Sequence, residues 1–226
     1  MKMEIHEPFC CRMLKDKEVV DSSSRKIGRI GDFTFLFDGE LKFSRFMMTG
    51  SIWDELLETL NLKPGHNPVF DSSLIKKVDS HIHLNTTSNR LVAAEERSLA
   101  SESEIRFSEL ETLDIIDKDN VKVGRAIDVD FDVDGRASII AGGGFIEEKL
   151  EAIGLKEDVD IIVPSNVITS IEDTIRLSVS KDELDTTLDG VLRERAMKIR
   201  NEREAAKHHS RPSRERVYAF WPYSSK

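Results

Sequence analysis

Apolar residues alternate with polar ones along two long stretches of the chain. In the second stretch the apolar residues occupy odd positions, namely Val121, Val123, Ile127, Val129, Phe131 and Val133. In the first stretch the same parity holds at Ile27, Phe33, Phe35 and Phe37. A period of two over this length is typical of a β-strand with one buried face. The pattern therefore predicts one long strand in each stretch.

The two predicted strands belong to a longer sequence repeat. Residues 26–39 match residues 122–135 at an offset of 96, with Lys, Gly, Arg, Asp, Phe and the closing Asp-Gly pair coinciding. After the Asp-Gly pair the match resumes at an offset of 93, for example at Leu62 and Leu155. A repeat of this length indicates two copies of one small domain instead of a single 226-residue fold.

Glycines mark the turns and bends of each copy. Gly28 and Gly124 lie inside the long strands, where glycine indicates a β-bulge or a sharp bend that lets a strand curl. Each long strand ends at an Asp-Gly pair, residues 38–39 and 134–135, which is typical of a hairpin turn. A return strand, a short helix and further short strands are predicted to complete each copy.

A polar linker separates the two copies. We place the copies at residues 9–85 and 105–180, and the linker at residues 86–104, which are rich in Thr, Ser, Glu and Arg. Within the linker, residues 90–100 are a candidate helix. The expected fold class is mainly β, with two small β-barrels in tandem and a C-terminal α-helix.

The C-terminal part of the chain differs from the rest in pattern and in charge. Apolar residues at three- and four-residue spacing predict a basic amphipathic helix over residues 181–210, followed by an aromatic tail, residues 211–226. Residues 193–226 hold ten Lys and Arg against four Glu, a net charge of +6, whereas the whole chain carries −9. Attraction of nucleic acid and a simple solvated helix both stay open as explanations.

The aromatic tail is the main candidate for partner binding. Both tyrosines of the chain and one of its two tryptophans lie within six residues of each other. Arginine and aromatic residues commonly anchor protein interfaces, and they also stack on RNA bases. Three alternatives are open: the tail packs back on a barrel, binds a protein partner or binds RNA. The candidate partner-binding residues are Arg211, Arg214, Arg216, Tyr218, Phe220, Trp221 and Tyr223.

No catalytic set, metal set or cofactor motif stands out. His81 and His83 alternate on a predicted strand, a spacing that suits a metal, but the second copy has Thr174 and Arg176 there and no third ligand is obvious. We interpret both as structural or surface histidines. Glycines 142–144 precede a predicted helix without the Lys-Ser/Thr of a phosphate-binding loop, and we interpret them as a tight turn. The sequence predicts a non-enzyme without metal or cofactor.

Four aspartates lie two residues apart on the second long strand. They are Asp128, Asp130, Asp132 and Asp134. Weak cation binding is one hypothesis for them. We favour the alternative that these aspartates line the solvent-facing side of the strand, where their charge keeps the strand soluble.

Composition points to a soluble protein of the cytoplasm. Hydrophobic residues make up 39% and charged residues 33% of the chain. No apolar run reaches the roughly 18 residues of a membrane span, and residues 1–7 lack the apolar core of a signal peptide. The neighbouring Cys10 and Cys11 point apart, so we expect no disulfide framework. A lipid anchor on these cysteines is a minor alternative.

These motifs resemble the PRC-barrel family. Its pattern joins a Lys-Ile/Val-Gly-Arg/Lys segment to an Asp, an Asp-Gly hairpin and a later Val-Pro segment. The second copy matches at residues 122–125, Asp128, residues 134–135 and residues 162–168. The first copy matches in its first half and departs later, where Asp71 replaces the proline.

The resemblance implies docking without catalysis. Archaeal PRC-barrel proteins of cell division act as adaptors to a membrane anchor, and the C-terminal domain of the ribosome maturation factor RimM, a more distant likeness, helps bind a ribosomal protein. We therefore expect a non-enzymatic adaptor in archaeal-type cell division, with division or membrane-anchor proteins as partners. The alternative is a ribosome-assembly or RNA-processing factor that uses the basic tail. A homodimer also stays open.

Overall fold

The computed structural model describes residues 9–50, 69–95, 104–132, 135–155, 159–205 and 215–218, together with residues 52, 54, 55 and 58. The protein is mainly β, with two sheets, one of which curls into a half-barrel, and with a helix near the C-terminus. No helix in these ranges is both long enough and apolar enough to cross a membrane.

The elements of the second half repeat the order of the first. In chain order the first half contains β1 (Phe9–Cys10), α1 (Cys11–Leu14), β2 (Glu18–Val20), β3 (Lys26–Phe37), β4 (Leu41–Thr49), β5 (Val69–Asp71), β6 (Ile75–Val78), β7 (Ile82–Leu84) and α2 (Ser88–Glu95). The second half contains β8 (Ile105–Arg106), α3 (Phe107–Leu110), β9 (Asp114–Ile116), β10 (Lys122–Phe131), β11 (Ala137–Gly142), α4 (Gly144–Ala152), β12 (Val159–Val163), β13 (Ile168–Ile171), β14 (Thr174–Leu177), α5 (Lys181–Ala205) and β15 (Glu215–Tyr218).

Both sheets follow the same path. The first runs β5-β4-β3-β2-β7-β6, and the second runs β12-β11-β10-β9-β14-β13 with β15 added beyond β12. In each sheet the strand before the long strand pairs in parallel with the last strand of the copy, β2 with β7 and β9 with β14. The sequence repeat is therefore a structural repeat.

The predicted bends in the long strands are present. The pairing of β2 with β3 shifts register between Lys26 and Gly28, and the pairing of β9 with β10 shifts between Lys122 and Gly124. A Cβ atom at Gly124 would lie 2.9 Å from the carbonyl oxygen of Gly142. Glycine is required there because two stretches of backbone approach each other closely.

The alternating pattern predicts the burial of the long strands only in part. Six predicted inward positions are buried: Ile27, Phe33, Phe35, Val123, Val129 and Phe131. However, Val121 is 44% exposed, whereas Asp128 and Asp130 are only 6% and 1% exposed. The prediction of a solvent-facing side is therefore wrong for Asp128 and Asp130, whereas Asp132 is half-buried and Asp134 lies outside the described residues.

Short arms at the start of each copy pair with the long strands close to these buried polar residues. β1 pairs antiparallel with the end of β10, with Cys10 opposite Asp130. β8 pairs in the same way with β3, with Arg106 opposite Thr34. Because β1 and β8 are equivalent in the repeat, each long strand is covered at the same place by the arm of the other copy. Sequence periodicity within one strand does not report such a cover.

The first copy shows how the buried polar side chains are satisfied. Asp32, the equivalent of Asp128, accepts a hydrogen bond of 2.6 Å from the hydroxyl of Ser108 on α3. The Thr34 hydroxyl donates to Glu104 at 3.2 Å. Hydrogen bonds of this kind offset the cost of burying polar groups.

The chain divides into two compact units. The first contains Met1–Leu110 and Val129–Ala137, and the second contains Glu111–Asp128 and Ser138–Lys226. The arm β8 with α3 and the end of the β10–β11 hairpin thus belong to the first unit. The boundaries of the two compact units therefore differ from the boundaries of the two sequence copies.

Aromatic rings form much of the core of the first unit. The Phe131 ring lies 5.0 Å from Phe9, 5.7 Å from Phe43 and 6.1 Å from Phe35, measured between ring centroids. Rings at these separations contribute about 0.5–1.5 kcal/mol per pair beyond the area they bury. Cys11 is also fully buried in this unit, and neither cysteine forms a disulfide. Burial of Cys11 argues against a lipid anchor on its thiol.

Helix α5 is the helix near the C-terminus, and it begins at Lys181, where the sequence places the start of the amphipathic helix. Its apolar stripe is buried at Leu184, Leu188 and Leu192, and Ala196 is 9% exposed. The helix is described to Ala205, and the predicted continuation to residue 210 lies outside the described residues. Helix α2 lies within the predicted linker and is the equivalent of α5 in the first copy. The repeat therefore extends into both helices, which sequence matching did not show.

Candidate functional site

Part of the predicted aromatic tail forms the edge strand β15 of the second sheet. It pairs in parallel with β12, with Glu215 opposite Val159 and Tyr218 opposite Ile162. Val217 is 2% exposed and is the inward residue of this strand. Strand addition of this kind combines main-chain hydrogen bonds with alternating side chains. Residues 215–218 therefore pack back on the second sheet.

The composition of β12 explains why it accepts a strand. Its sequence is Val-Asp-Ile-Ile-Val, which is rich in β-branched residues, and all but Asp160 are buried. An uncovered edge of such a strand would favour pairing with other chains. β15 covers this edge.

The structure describes two of the seven predicted tail residues. Arg216 and Tyr218 lie on β15, opposite Asp160 and Ile162, and both are half-buried. They flank Val217, so both side chains lie on the face of the strand opposite to it. The other predicted residues, Arg211, Arg214, Phe220, Trp221 and Tyr223, lie outside the described residues.

A buried carboxylate positions the helix that leads to the tail. Asp117 Oδ1 accepts main-chain hydrogen bonds from Asp119 at 2.9 Å and Val121 at 2.7 Å, and its Oδ2 accepts one from Lys181 at 2.8 Å. Burial alone would raise the pKa of Asp117, but these N–H donors lower it below its ordinary value. Lys181 is the first residue of α5, so the negative charge also lies at a helix N-terminus.

Asp21 has the same role in the first copy. Its Oδ1 accepts hydrogen bonds from the main chain of Ser23 at 2.8 Å and Arg25 at 3.1 Å, and its Oδ2 accepts one from Ser88, the first residue of α2. Burial again opposes ionisation, and the N–H donors again lower the pKa. Both copies thus tie a helix to the turn before the long strand.

A capping box also fixes the start of α5. The main-chain N–H of Ser180 donates to Glu183 Oε2 at 2.7 Å, and the N–H of Glu183 donates to Ser180 Oγ at 3.2 Å. The hydrogen bond from Ser180, with help from Lys118, lowers the pKa of Glu183 to about 2. The sequence Ser-Lys-Asp-Glu at residues 180–183 has the spacing of a capping box, but this box was not predicted.

Lys149 ties α4 to α5. Its ammonium group contacts the carboxylates of Asp185 and Asp189, the second at 2.6 Å. The Lys181 ammonium lies 4.7 Å from the centroid of the Phe145 ring, a cation–π contact between the same two helices. The glycines before α4 form the predicted tight turn, with positive φ at Gly143 and Gly144.

One group of described residues is able to hold a metal. Asp79, His81 and His83 each offer a ligand atom, and these atoms lie within 4.8 Å of one another. His83 Nε2 is 2.9 Å from Asp79 Oδ1, and the two imidazole centroids are 6.2 Å apart. The histidines therefore share one face, as predicted. Asp79 was not among the predicted residues, although the spacing Asp-x-His-x-His is visible in the sequence.

Charged neighbours surround this group. Glu18 Oε2 lies 3.3 Å from His81 Nε2, and Lys77 Nζ lies 2.9 Å from Asp79 Oδ2. The main-chain N–H of His81, followed by Lys77 and His83, holds the pKa of Asp79 well below its usual range. Asp79 is therefore ionised at neutral pH.

No family model matches the chain, and no curated protein matches it. The likeness to PRC barrels is thus a prediction from the motifs quoted above.

Proposed function

We propose that this chain is a non-enzymatic adaptor, in which two PRC-like barrels and the tail make protein–protein contacts. The observation that carries the proposal is the attachment of β15 to the edge of β12. It places Arg216 and Tyr218 on the edge strand of the second sheet, and such residues are common interface anchors. Anchors held in place lose less conformational entropy on binding than anchors on a free peptide.

The setting that we propose is archaeal-type cell division, with division or membrane-anchor proteins as partners. It follows from the PRC-barrel resemblance, whose shared theme is a small barrel used as a docking surface. The duplicated topology supports the same idea, because two copies of one sheet offer two related surfaces on one chain.

Affinity capture from native cells tests the adaptor function. The full-length chain and the double variant Arg216→Ala/Tyr218→Ala are used as baits, each with and without RNase. We expect RNase-resistant division or membrane-anchor proteins on the full chain, and at least a tenfold loss of them on the variant. Val217 is retained, so that β15 stays in place.

Arg125→Ala is the matched control, because Arg125 is an exposed arginine on β10 in the same sheet. Its capture should equal that of the unchanged chain. Equal capture by the double variant would overturn the role of the tail.

A ribosome- or RNA-linked factor is the second candidate, favoured by the net charge of +6 in residues 193–226. If this candidate is right, the affinity capture should recover ribosomal proteins without RNase and lose them when RNase is added. The candidate also requires an RNA affinity that falls steeply between 50 and 200 mM salt, by about 10³-fold or more for six phosphate contacts. An affinity that does not change with salt would contradict it.

A further inference from the structure

We propose that the turn between β6 and β7 binds one divalent transition-metal ion through Asp79, His81 and His83, with Glu18 as the fourth ligand. This site is separate from the tail. It lies wholly within the first unit, on the β6–β7 hairpin and the neighbouring strand β2.

The backbone brings the ligands together. His83 lies on β7 and His81 directly precedes that strand, so the two side chains, two residues apart, leave the same face. The main-chain N–H of His81 donates to Asp79 Oδ1 at 2.9 Å, which folds the Asp79 side chain toward the histidines. β7 pairs in parallel with β2, where Glu18 precedes Val19, the partner of Ile82.

The distances suit a small ion after modest side-chain rotation. A tetrahedral site with ligand bonds of about 2.1 Å places its ligand atoms about 3.4 Å apart. The observed ligand atoms of Asp79, His81 and His83 lie within 4.8 Å, and Glu18 is already 3.3 Å from His81 Nε2. These side chains are about one-third exposed, so they have room to adjust.

Neighbouring groups orient the ligands. Ser80 Oγ lies 2.9 Å from His81 Nδ1, which leaves Nε2 for the metal. Lys77 pairs with Asp79 Oδ2, so Oδ1, which accepts the main-chain N–H of His81 and faces His83 Nε2, is the ligand atom. Such outer contacts commonly fix the orientation of metal ligands.

The Lys17 ammonium also contacts the Asp79 carbonyl oxygen, and the Lys26 ammonium lies 2.7 Å from Glu18 Oε2. Lys77, Lys17 and Lys26 compete with a metal ion for these oxygens, so we expect a modest affinity.

The donor set selects the class of ion. Two imidazole nitrogens and two carboxylate oxygens suit Zn²⁺ and its neighbours Co²⁺, Ni²⁺ and Cu²⁺. Ca²⁺ and Mg²⁺ prefer oxygen ligands alone. The bound ion would clamp β2 to the β6–β7 hairpin, and it would stabilise the first unit by mass action.

The second copy supplies an internal comparison. Its hairpin β13–β14 has the same topology, but Glu172, Thr174 and Arg176 stand at the equivalent positions. Thr and Arg are poor ligands for these ions. The proposal therefore predicts that the β6–β7 hairpin binds one ion and that the β13–β14 hairpin binds none.

The test is titration of the full-length chain with Zn²⁺ by calorimetry, and with Co²⁺ by visible absorption. The main variant, His81→Thr/His83→Arg, installs the residues of the second copy, which that hairpin accommodates. We expect it to lose the tetrahedral Co²⁺ spectrum and to weaken Zn²⁺ binding at least tenfold. The Zn²⁺-induced rise in melting temperature should disappear with it.

Asp79→Asn is a milder second variant, in case the double variant does not fold, and it should weaken Zn²⁺ binding at least fivefold. Thr174→Ala/Arg176→Ala is the matched control, and its binding should equal that of the unchanged chain. Either of two results would overturn the proposal: no Zn²⁺ binding by the unchanged chain at 100 μM free ion, or equal Zn²⁺ affinity of Asp79→Asn and the unchanged chain.

Discussion

At the scale of single residues, two buried aspartates with the same role are expected to contribute to the free energy of unfolding. Asp117 accepts three main-chain hydrogen bonds and Asp21 does the same in the first copy. Each carboxylate joins a turn to the first residue of a helix. Removal of either carboxylate leaves N–H donors without their acceptors.

We expect Asp117→Asn to lower the free energy of unfolding by about 1–3 kcal/mol, because the amide replaces one acceptor oxygen by a donor facing an N–H group. Urea denaturation at pH 7 measures this change. Asp119→Asn in the same turn is the control, because the Asp119 side chain lies on the exposed tip of the turn, and it should change stability by less than about 0.5 kcal/mol. Equal effects of the two substitutions would contradict the argument.

Gly124 gives a second prediction at this scale. A methyl group there would meet Gly142 O at 2.9 Å and Ile146 Cδ1 at 3.2 Å. We expect Gly124→Ala to destabilise the protein by about 1–3 kcal/mol, because the backbone must move to admit it. Gly190→Ala on α5 is the control, since that position has open space and alanine favours a helix by about 1 kcal/mol. We expect Gly124→Ala to lower the urea midpoint and Gly190→Ala to raise it.

At the scale of elements, the attachment of β15 depends on Val217. Val217→Ala removes two buried methyl groups, so the attachment of this strand should weaken by about 1–2 kcal/mol. Hydrogen exchange read by mass spectrometry should be faster in peptides that cover β15 and β12. Arg216→Ala, which leaves the inward face intact, should exchange at the rate of the unchanged chain. Unchanged exchange in Val217→Ala would mean that the strand is held by something else.

The clamp between α4 and α5 is a second feature of this scale. Lys149 contacts two aspartates of α5, and its side chain is only 14% exposed. Burial lowers the pKa of Lys149, but the two carboxylates raise it above its ordinary value. The contacts therefore hold the helix that precedes the tail against α4.

At the scale of the whole molecule, carboxylates with lowered pKa values contribute to the response to acid. The folded-state pKa values of Asp21 and Asp117 lie below their unfolded values, and that of Glu183 is lowered to about 2. A lowered pKa stabilises the fold above the unfolded pKa, near pH 4, and this contribution is lost as the pH falls toward the folded value. The urea midpoint should therefore fall between about pH 5 and pH 2.

The double variant Asp21→Asn/Asp117→Asn tests this assignment. It should be less stable at pH 7, and its urea midpoint should depend less steeply on pH in the same range. A pH dependence equal to that of the unchanged chain would assign the acid response to other carboxylates.

Local patterns determined much of the architecture. The β class, the duplication, the bulges at Gly28 and Gly124 and the amphipathic helix followed from periodicity, glycine positions and self-similarity. Each of these signals lies within a short window of sequence. The histidine pair on one face was predictable for the same reason, because two-residue spacing on a strand fixes it.

The tertiary structure alone decided the rest. Asp130 is buried at the place where the arm β1, more than a hundred residues away in sequence, pairs with β10. Glu18 meets His81 because β2 and β7 pair in parallel. The place of β15 on β12 is likewise a long-range pairing. Periodicity reports which face of one strand is apolar, whereas only the folded chain determines which distant segment covers that face.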